Sequence, residues 1–307
     1  MMERLPPFDL VDLRLLLALA EHRHFARAAA ACGLSQPALS ARIRRLETAL
    51  ATPLIFRGKR FEGFTPEGDQ TLAWARRILS DCGGLVQDVS LTDGPSGSLR
   101  LGVVPSAAPF AGRMCGELAQ RFPKLMFRVL SLSSSAIEKG LADFSLDAGM
   151  TYLEREQHAG IETIPLYEET YSLVVAPDVS LIDASDGSFT WKAAARLPLC
   201  LLTPDMHNRR IIDAVFEKVG ERPEPRFESN SFNAILALVR SGGMATILPR
   251  IQIEEGLSEG LVVLELKDPE IRAGLGLMLP AREPVMPVTQ ALKVAIPDIL
   301  RQIDNVS

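Results

Sequence analysis

Residues 25–47 read FARAAAACGLSQPALSARIRRLE, and this stretch decides the fold of the first part of the chain. The alanines of residues 25–32 predict a short helix that packs closely against its neighbours. Gly33 supplies the left-handed residue that ends it, and Ser35 is a natural N-cap for the next helix. Pro37 is tolerated in the first turn of that helix. The stretch therefore predicts two helices joined by a tight turn.

The second of these helices has two different faces. Leu39, Ile43 and Leu46 recur at spacings of four and three, so they form one apolar face. A first helix precedes the pair, because leucines recur at helical spacing from Asp9 onward. The outward face of the last helix is small, polar and basic, carrying Pro37, Ser40, Ala41, Arg44 and Arg45. This order is typical of a helix-turn-helix whose second helix enters the major groove of DNA. The alternative is a three-helix bundle with a solvated basic face.

A hairpin with a basic tip is predicted next. Pro53–Phe56 and Phe61–Thr65 have the pattern of short strands, and the turn between them carries Arg57, Lys59 and Arg60. A wing of this kind suits DNA phosphates or the minor groove.

A linker helix is predicted after Thr65-Pro66. Its apolar residues follow spacings of 3, 4, 3, 4 and 3, which is typical of a seam between two paired helices. The alternative is a helix lying on its own domain, and Gly83-Gly84 predicts fraying or a bend near the far end. The seam residues proposed for dimerisation are Leu72, Ala75, Leu79, Cys82 and Val86. The turn-forming residues 92–98 then mark a domain boundary.

The remaining chain alternates strands with helices, which predicts parallel sheets in two lobes. Four strand-to-helix turns carry hydroxyl or amide groups, and ligands bind beyond such strand ends in open α/β sheets. The effector site is therefore predicted at Ser106, Ser131, Ser133, Ser134, Thr203, Asn230 and Ser231. Short neutral donors beside helix N-termini favour a small carboxylate or other oxyanion. The alternative is that each hydroxyl only caps its helix.

Composition and charge narrow the classes of protein. Residues 1–65 hold ten Lys/Arg and six Asp/Glu, a net charge of +4, whereas residues 92–307 hold 21 and 28, a net charge of -7. A basic first domain suits a polyanion. Four dispersed cysteines and the absence of a long apolar run favour a reduced cytoplasmic protein without metal, cofactor or membrane span. Asp205 and His207 invite a hydrolase interpretation, but no catalytic motif accompanies them, so we expect no enzyme.

The first third of the chain resembles the winged helix-turn-helix of LysR-type transcriptional regulators. The resemblance rests on an ordered set of residues: Phe25, Ala28, Ala29, Leu34, Ser35, Gln36, Pro37, Ala38, Ser40, Ile43, Leu46, Glu47, Leu54, Phe56, Arg57, Thr65, Pro66 and Gly68. Later segments, Leu-Arg-Leu-Gly at 99–102 and residues 140–149, resemble the periplasmic-binding-protein-like effector domain of the same family.

The resemblance implies a multidomain fold: an N-terminal all-α winged helix-turn-helix at 1–65, a linker helix at 66–91, and a two-lobed α/β effector-binding domain at 92–307. Lobe I would hold about 96–163 and 268–307, and lobe II about 164–267, with crossover strands near 164–166 and 265–267. DNA contacts would come from Ser35, Gln36, Pro37, Ser40, Arg42, Arg44, Arg57, Lys59 and Arg60.

The partners implied are double-stranded DNA with an interrupted dyad, a small-molecule effector, further copies of the chain as dimer and tetramer, and RNA polymerase as a candidate. An effector-independent architectural or nucleoid-type DNA binder is the alternative function.

Overall fold

The computed structural model describes residues 7–56, 60–89, 94–153, 160–181, 187–253, 256 and 258–304. The chain divides into two compact units. The N-terminal unit comprises residues 1–93 with 142–145, and the C-terminal unit comprises 94–141 with 146–307.

The N-terminal unit is built from four helices: α1 Leu10–His22, α2 Phe25–Ala31, α3 Gln36–Leu50 and α4 Pro66–Val89. Asp9 and Asp12 form a reciprocal capping box at the start of α1. Gly33 adopts φ +68° between α2 and α3, and the Ser35 hydroxyl accepts from the Ala38 amide to cap α3. The predicted order of helix, tight turn and helix is confirmed.

The core of this unit joins all four helices. Leu16, Leu39 and Leu46 are fully buried in it, as are Leu54 and Ala75. A close approach fixes the start of α4, since a side chain on Gly68 would meet the carbonyl oxygen of Leu54 at 2.0 Å. Only glycine therefore fits at that position.

The segment between α3 and α4 pairs in the antiparallel sense of the predicted hairpin, over a short stretch. Among its described residues, a bridge between Ile55 and Phe64 is flanked by hydrogen bonds from the Phe56 amide to the Gly63 carbonyl at 3.1 Å and from the Thr65 amide to the Leu54 carbonyl at 3.0 Å. Side chains add to this order: the Thr65 hydroxyl donates to the Pro53 carbonyl at 2.8 Å and accepts from the Gly68 amide at 3.0 Å. The segment is therefore a wing held at its base, while residues 57–59 at the predicted tip lie outside the described residues.

The C-terminal unit contains two sheets. The sheet of lobe I has the order β2-β1-β3-β11-β4. Its strands are β1 Gly97–Val103, β2 Leu125–Ser131, β3 Ala148–Tyr152, β4 Ile161–Glu169 and β11 Ala273–Pro280, and its helices are α5 Ala108–Arg121, α6 Ser134–Ala142 and α11 Pro287–Asp304.

The sheet of lobe II has the order β6-β10-β5-β9-β7-β8. Its strands are β5 Tyr171–Val175, β6 Ser188–Thr190, β7 Leu199–Leu202, β8 Phe227–Ser229, β9 Ala245–Pro249 and β10 Val262–Lys267. The helices of this lobe are α7 Trp191–Ala194, α8 His207–Lys218, α9 Phe232–Arg240 and α10 Arg250–Gln252.

Two details of the predicted lobes are wrong. Both sheets are mixed rather than parallel, because β11 pairs antiparallel with β3 and β4, and β5 pairs antiparallel with β9 and β10. The first crossover also lies later in the chain than predicted. All of β4 belongs to lobe I, so the first crossover lies between Glu169 and Tyr171, whereas the second follows Lys267, where the predicted lobe II ends.

Candidate functional site

The outward face of α3 presents the residues predicted to read DNA. Gln36, Pro37 and Arg44 are exposed, and Ser40 is half-buried between them. Leu39 and Ile43 point the other way, into the core. The Arg44 side chain lies along the helix, where its Nε donates to the Ser40 carbonyl at 3.3 Å. The outward face is thus a stripe of exposed or half-buried side chains on a helix whose opposite face packs into the core.

Arg42 has a structural role that the sequence did not indicate. Its guanidinium donates to Asp9 at 3.0 Å and to Asp12 at 2.9 Å, and Arg45 contacts the same two carboxylates. The Asp12 side chain is fully buried, so it needs cationic partners. The prediction that Arg42 is free for phosphates is therefore wrong: it ties α3 to the start of α1.

The base of the wing is fixed to α3 by one carboxylate. Glu47 Oε1 accepts from the Leu54 amide at 2.8 Å and from the Ile55 amide at 3.3 Å. Arg60 is exposed beyond this base. Arg57 and Lys59, the other predicted wing cations, lie outside the described residues.

Helix α4 does not carry the predicted seam along its whole length. Leu72 is 3% exposed and Ala75 is fully buried, because both pack into the core of their own unit. Those two assignments to a dimer interface are wrong, and the alternative of a helix lying on its own domain holds there. Leu79 and Cys82 are half-buried, whereas Val86 is exposed. The exposed apolar side chains of α4 are Trp74, Leu85, Val86 and Val89.

In the C-terminal unit, a cavity of about 560 Å³ opens between the two lobes. Lobe I contributes Pro105, Ala108, Pro109 and Ser131, and lobe II contributes Met206, Asn230, Ser231, Phe232, Asn233 and Gln252. Every side chain in this wall is uncharged. Its polar groups are hydroxyls and carboxamides, which both donate and accept hydrogen bonds. The cavity therefore suits an uncharged molecule with polar edges.

The structure brings together three of the seven predicted effector residues in that wall: Ser131, Asn230 and Ser231. Ser106 and Ser134 are buried instead, and their hydroxyls are bonded to Tyr152 and Thr151. These two residues do not line the cavity, because their hydroxyls form hydrogen bonds in the interior.

The other two predicted residues also lie elsewhere. The Ser133 hydroxyl accepts from the Ala136 amide at 3.4 Å, as a helix cap does. Thr203 lies outside the wall, and its amide donates to the Ser229 carbonyl. The capping alternative describes Ser133 better than a ligand contact does.

A buried polar cluster, missed in the sequence, joins the lobes near the first crossover. Tyr152 Oη donates to Glu169 Oε2 at 2.8 Å, lies 2.9 Å from Ser106 Oγ, and accepts from Asn208 Nδ2 at 3.3 Å. The ring of His207 stacks on that of Tyr152, with centroids 4.6 Å apart. Tyr152 and Glu169 belong to lobe I, whereas His207 and Asn208 open α8 of lobe II.

Burial governs the ionisation of this cluster. Removal from water raises the pKa of Glu169 to about 7, against the opposing effect of hydrogen bonds from Tyr152 and Ser106. Burial, followed by the nearby Glu169 charge, also raises the pKa of Tyr152 well above its ordinary value. Burial therefore keeps this carboxyl protonated to a higher pH than a carboxyl in water.

No charged side chain lines the described cavity. The Arg209 guanidinium is nearly buried, and it pairs with Glu228 and with Asp213 at 2.8 Å. Among the described residues, no group of three His, Cys, Asp or Glu side chains could hold a metal ion, and no helix could cross a membrane.

The positions of two other wall residues could have been predicted from the sequence, because both lie near the ends of strands. Gln252 lies just beyond the end of β9, and Phe232 opens α9 after β8. Both follow strand ends, and Ser131 is the last residue of β2. Reading the residues after every strand, rather than the polar residues of four chosen turns, would have found them.

Comparison with known proteins decides the family. The model of the "Bacterial regulatory helix-turn-helix protein, lysR family" matches residues 10–69, and the "LysR substrate binding domain" matches residues 92–298. The chain belongs to the LysR family of transcription regulators. The predicted fold class is confirmed: a helix-turn-helix unit followed by a two-lobed α/β unit.

Curated relatives of this LysR-type regulator include an OxyR and proteins named for hydrogen peroxide. The "DNA-binding transcriptional dual regulator OxyR" of Escherichia coli K12 is 31% identical over 291 residues, which cover 93% of each chain. A "probable hydrogen peroxide-inducible genes activator" of Streptomyces viridosporus is 30% identical and covers 85% of this chain and 84% of its own.

Solved LysR-type structures share the fold. A full-length OxyR variant from Pseudomonas aeruginosa has a TM-score of 0.74 at 23% identity, covering 96% of this chain and 98% of that one. CbnR, a LysR family transcriptional regulator, has a TM-score of 0.69 at 17% identity over 95% and 99% of the chains. CbnR has also been solved in complex with its target DNA.

Proposed function

We propose that this LysR-type regulator reads its operator with the outward face of α3. Gln36, Pro37, Ser40 and Arg44 would face the base edges, with Ser35 at the helix start beside the backbone. Arg60, together with Arg57 and Lys59 of the wing, would contact phosphates. The observation that carries the proposal is the exposed polar stripe on a helix whose opposite face is buried, in a chain of a DNA-binding family.

We propose the domain limits 1–65, 66–91 and 92–307 for this regulator, which would act in the bacterial cytoplasm, where DNA lies. A dimer would pair through the exposed apolar side chains of α4, which replace the seam expected from the sequence: Trp74, Leu85, Val86 and Val89. Two winged helices would then read an interrupted dyad. A tetramer and a contact with RNA polymerase are further proposals that follow from the family alone.

The effector we propose is small, polar and uncharged. An anion was expected because four short donors seemed to meet at one rim, but Ser106 and Ser134 are buried and Thr203 is outside the wall. The uncharged wall therefore supports a neutral ligand.

Hydrogen peroxide is the first molecule to test, because relatives of the chain are named for it. It is also small and uncharged, and it both donates and accepts hydrogen bonds. The thiols of the C-terminal unit do not support a covalent route. Burial raises the pKa of Cys200 and of Cys115 to about 11, and Cys200 is fully buried. Peroxide reacts with thiolates, and such thiols are almost entirely protonated at pH 7. Occupancy of the cavity without thiol oxidation is the route we propose.

The test is a DNA-binding titration on an operator found by genomic selection with the purified chain. Peroxide is expected to change the affinity or the footprint, and a variant with all four cysteines replaced by serine should respond equally. A response that disappears with the cysteines would contradict the non-covalent route. A footprint indifferent to peroxide and to a metabolite library would favour an effector-independent architectural protein.

A further inference from the structure

Gln252 spans the gap between the two lobes at the wall of the cavity. It ends α10 of lobe II, and its side chain is 2% exposed. Its Nε2 donates to the Pro105 carbonyl at 3.2 Å and to the Ser106 carbonyl at 3.0 Å, both in the turn of lobe I that precedes α5. We call this pair of hydrogen bonds the Gln252 bridge.

The turn that receives the bridge is also held from the opposite side. Ser106 Oγ lies 2.9 Å from Tyr152 Oη, which accepts from Asn208 of lobe II. Ser106 is therefore fixed through its carbonyl by Gln252 and through its hydroxyl by the Tyr152 cluster. Both routes end on lobe II, so separation of the lobes must break them.

We propose that Gln252 couples occupancy of the cavity to the approach of the two lobes, and that the effector donates a hydrogen bond to its amide oxygen. The inference rests on the proposed effector response. A carboxamide has two N–H groups and one oxygen, and both N–H groups are directed at the carbonyls of lobe I. The oxygen is the group left to accept from a ligand in the cavity that Gln252 lines.

A donor ligand strengthens the bridge rather than competing with it. Hydrogen bonds in a chain polarise one another, so a donor on the amide oxygen makes the two N–H groups better donors. A ligand that only accepts hydrogen bonds can bond to Gln252 only by taking an N–H away from Pro105 or Ser106. The bridge thus selects uncharged molecules that carry an N–H or O–H group, and it favours the closed arrangement when they bind.

Hydrogen exchange of the full-length chain tests the bridge without a ligand. Gln252→Leu keeps the apolar bulk and removes both hydrogen bonds. We expect amides in 104–111 to exchange about tenfold faster, the effect of losing two neutral hydrogen bonds, with β5 and β9 unchanged. Asn233→Ala is the matched control, because Asn233 is an exposed wall residue of lobe II and the bridge does not use it.

Wild-type exchange at 104–111 in Gln252→Leu would overturn the inference. If Gln252→Leu raises amide exchange throughout lobe II, Gln252→Asn becomes the variant that decides whether the bridge exists. It keeps the amide but shortens the side chain by one methylene, and exchange there at the wild-type rate would equally overturn the bridge.

The ligand class is tested with two neutral probes, acetamide and N,N-dimethylacetamide. Acetamide can donate and is expected to slow exchange at 104–111 in wild type but not in Gln252→Leu, whereas dimethylacetamide, an acceptor only, should not slow it. Equal protection by the two probes would overturn the donor requirement. Failure of peroxide to act on operator binding would count against the proposed effector alone, because these measurements use neither peroxide nor DNA.

Discussion

Replacing Glu169 with Gln should change how the stability of the C-terminal unit depends on pH. Burial raises the pKa of this carboxyl from 4.5 to about 7 in the folded chain. Gln keeps the size and can still accept from Tyr152, but it cannot ionise. The comparison therefore isolates the energy of one ionisation in the polar cluster.

The direction follows from proton binding. Below pH 4.5 the carboxyl is protonated in both states, and its contribution to folding is complete. Between pH 4.5 and 7 the unfolded chain releases the proton while the folded chain retains it, so the free energy of unfolding falls. A span of about 2.5 pH units at about 1.4 kcal/mol each gives a loss of about 3.5 kcal/mol. Above pH 7 the loss stays constant.

The assay is urea unfolding followed by the fluorescence of Trp191, in a background in which Trp74→Phe removes the other tryptophan. Trp191 is buried in lobe II, so it reports the C-terminal unit. Glu169→Gln should match wild type at about pH 4 and exceed it by about 3.5 kcal/mol at about pH 8.

Glu168→Gln, at the exposed neighbouring position, controls for the loss of one negative charge. A difference between Glu169→Gln and wild type that stays flat from pH 5 to 8 would refute the claim that burial keeps this carboxyl protonated.

Two further predictions concern the N-terminal unit. Arg60→Ala should weaken binding to operator and scrambled DNA alike and reduce the slope of log affinity against log salt by about one, as loss of a phosphate contact does; a loss confined to the operator would contradict this role. Leu72→Ala should destabilise the unit by about 2–5 kcal/mol because it empties a core position, whereas Val86→Asp should leave stability within about 0.5 kcal/mol and abolish the dimer. Sedimentation of Val86→Asp as the wild-type oligomer would remove Val86 from the interface.

The helix-turn-helix could be predicted from the sequence because local signals agree there. Ser35 caps α3, Gly33 takes the left-handed conformation, and Leu39 and Ile43 fall on the buried face. Each signal depends on residues close in the chain, and tertiary contacts reinforce rather than override it.

The linker helix shows where such a pattern is ambiguous. An apolar stripe with heptad spacing indicates that one face of the helix is buried, but it does not indicate whether a partner helix or the same domain covers that face. The first half of the stripe, Leu72 and Ala75, is covered by α1 and its neighbours in the same core. The assignment of Arg42 failed for a similar reason, since its buried partner is Asp12, 30 residues away.

Glu169 could not have been found from strand alternation. The pairing of β4 with β11 is irregular between Leu275 and Gly276, which face Tyr167 and Pro165 and leave Leu166 as an extra residue. A bulge reverses the faces of the residues that follow it. Glu169 is therefore buried where regular alternation from Leu166 would bury Glu168. Nothing in the residue types indicates the bulge.

The most direct test of DNA reading by α3 is the ratio of affinities for an operator and a scrambled duplex of equal length, at one salt concentration, for wild type and Arg44→Ala. The account predicts a wild-type ratio of about a thousandfold or more. In Arg44→Ala the ratio should fall by about tenfold or more while the affinity for the scrambled duplex changes little, because Arg44 would contact bases. Equal wild-type affinity for the two duplexes, or an unchanged ratio in Arg44→Ala, would contradict it.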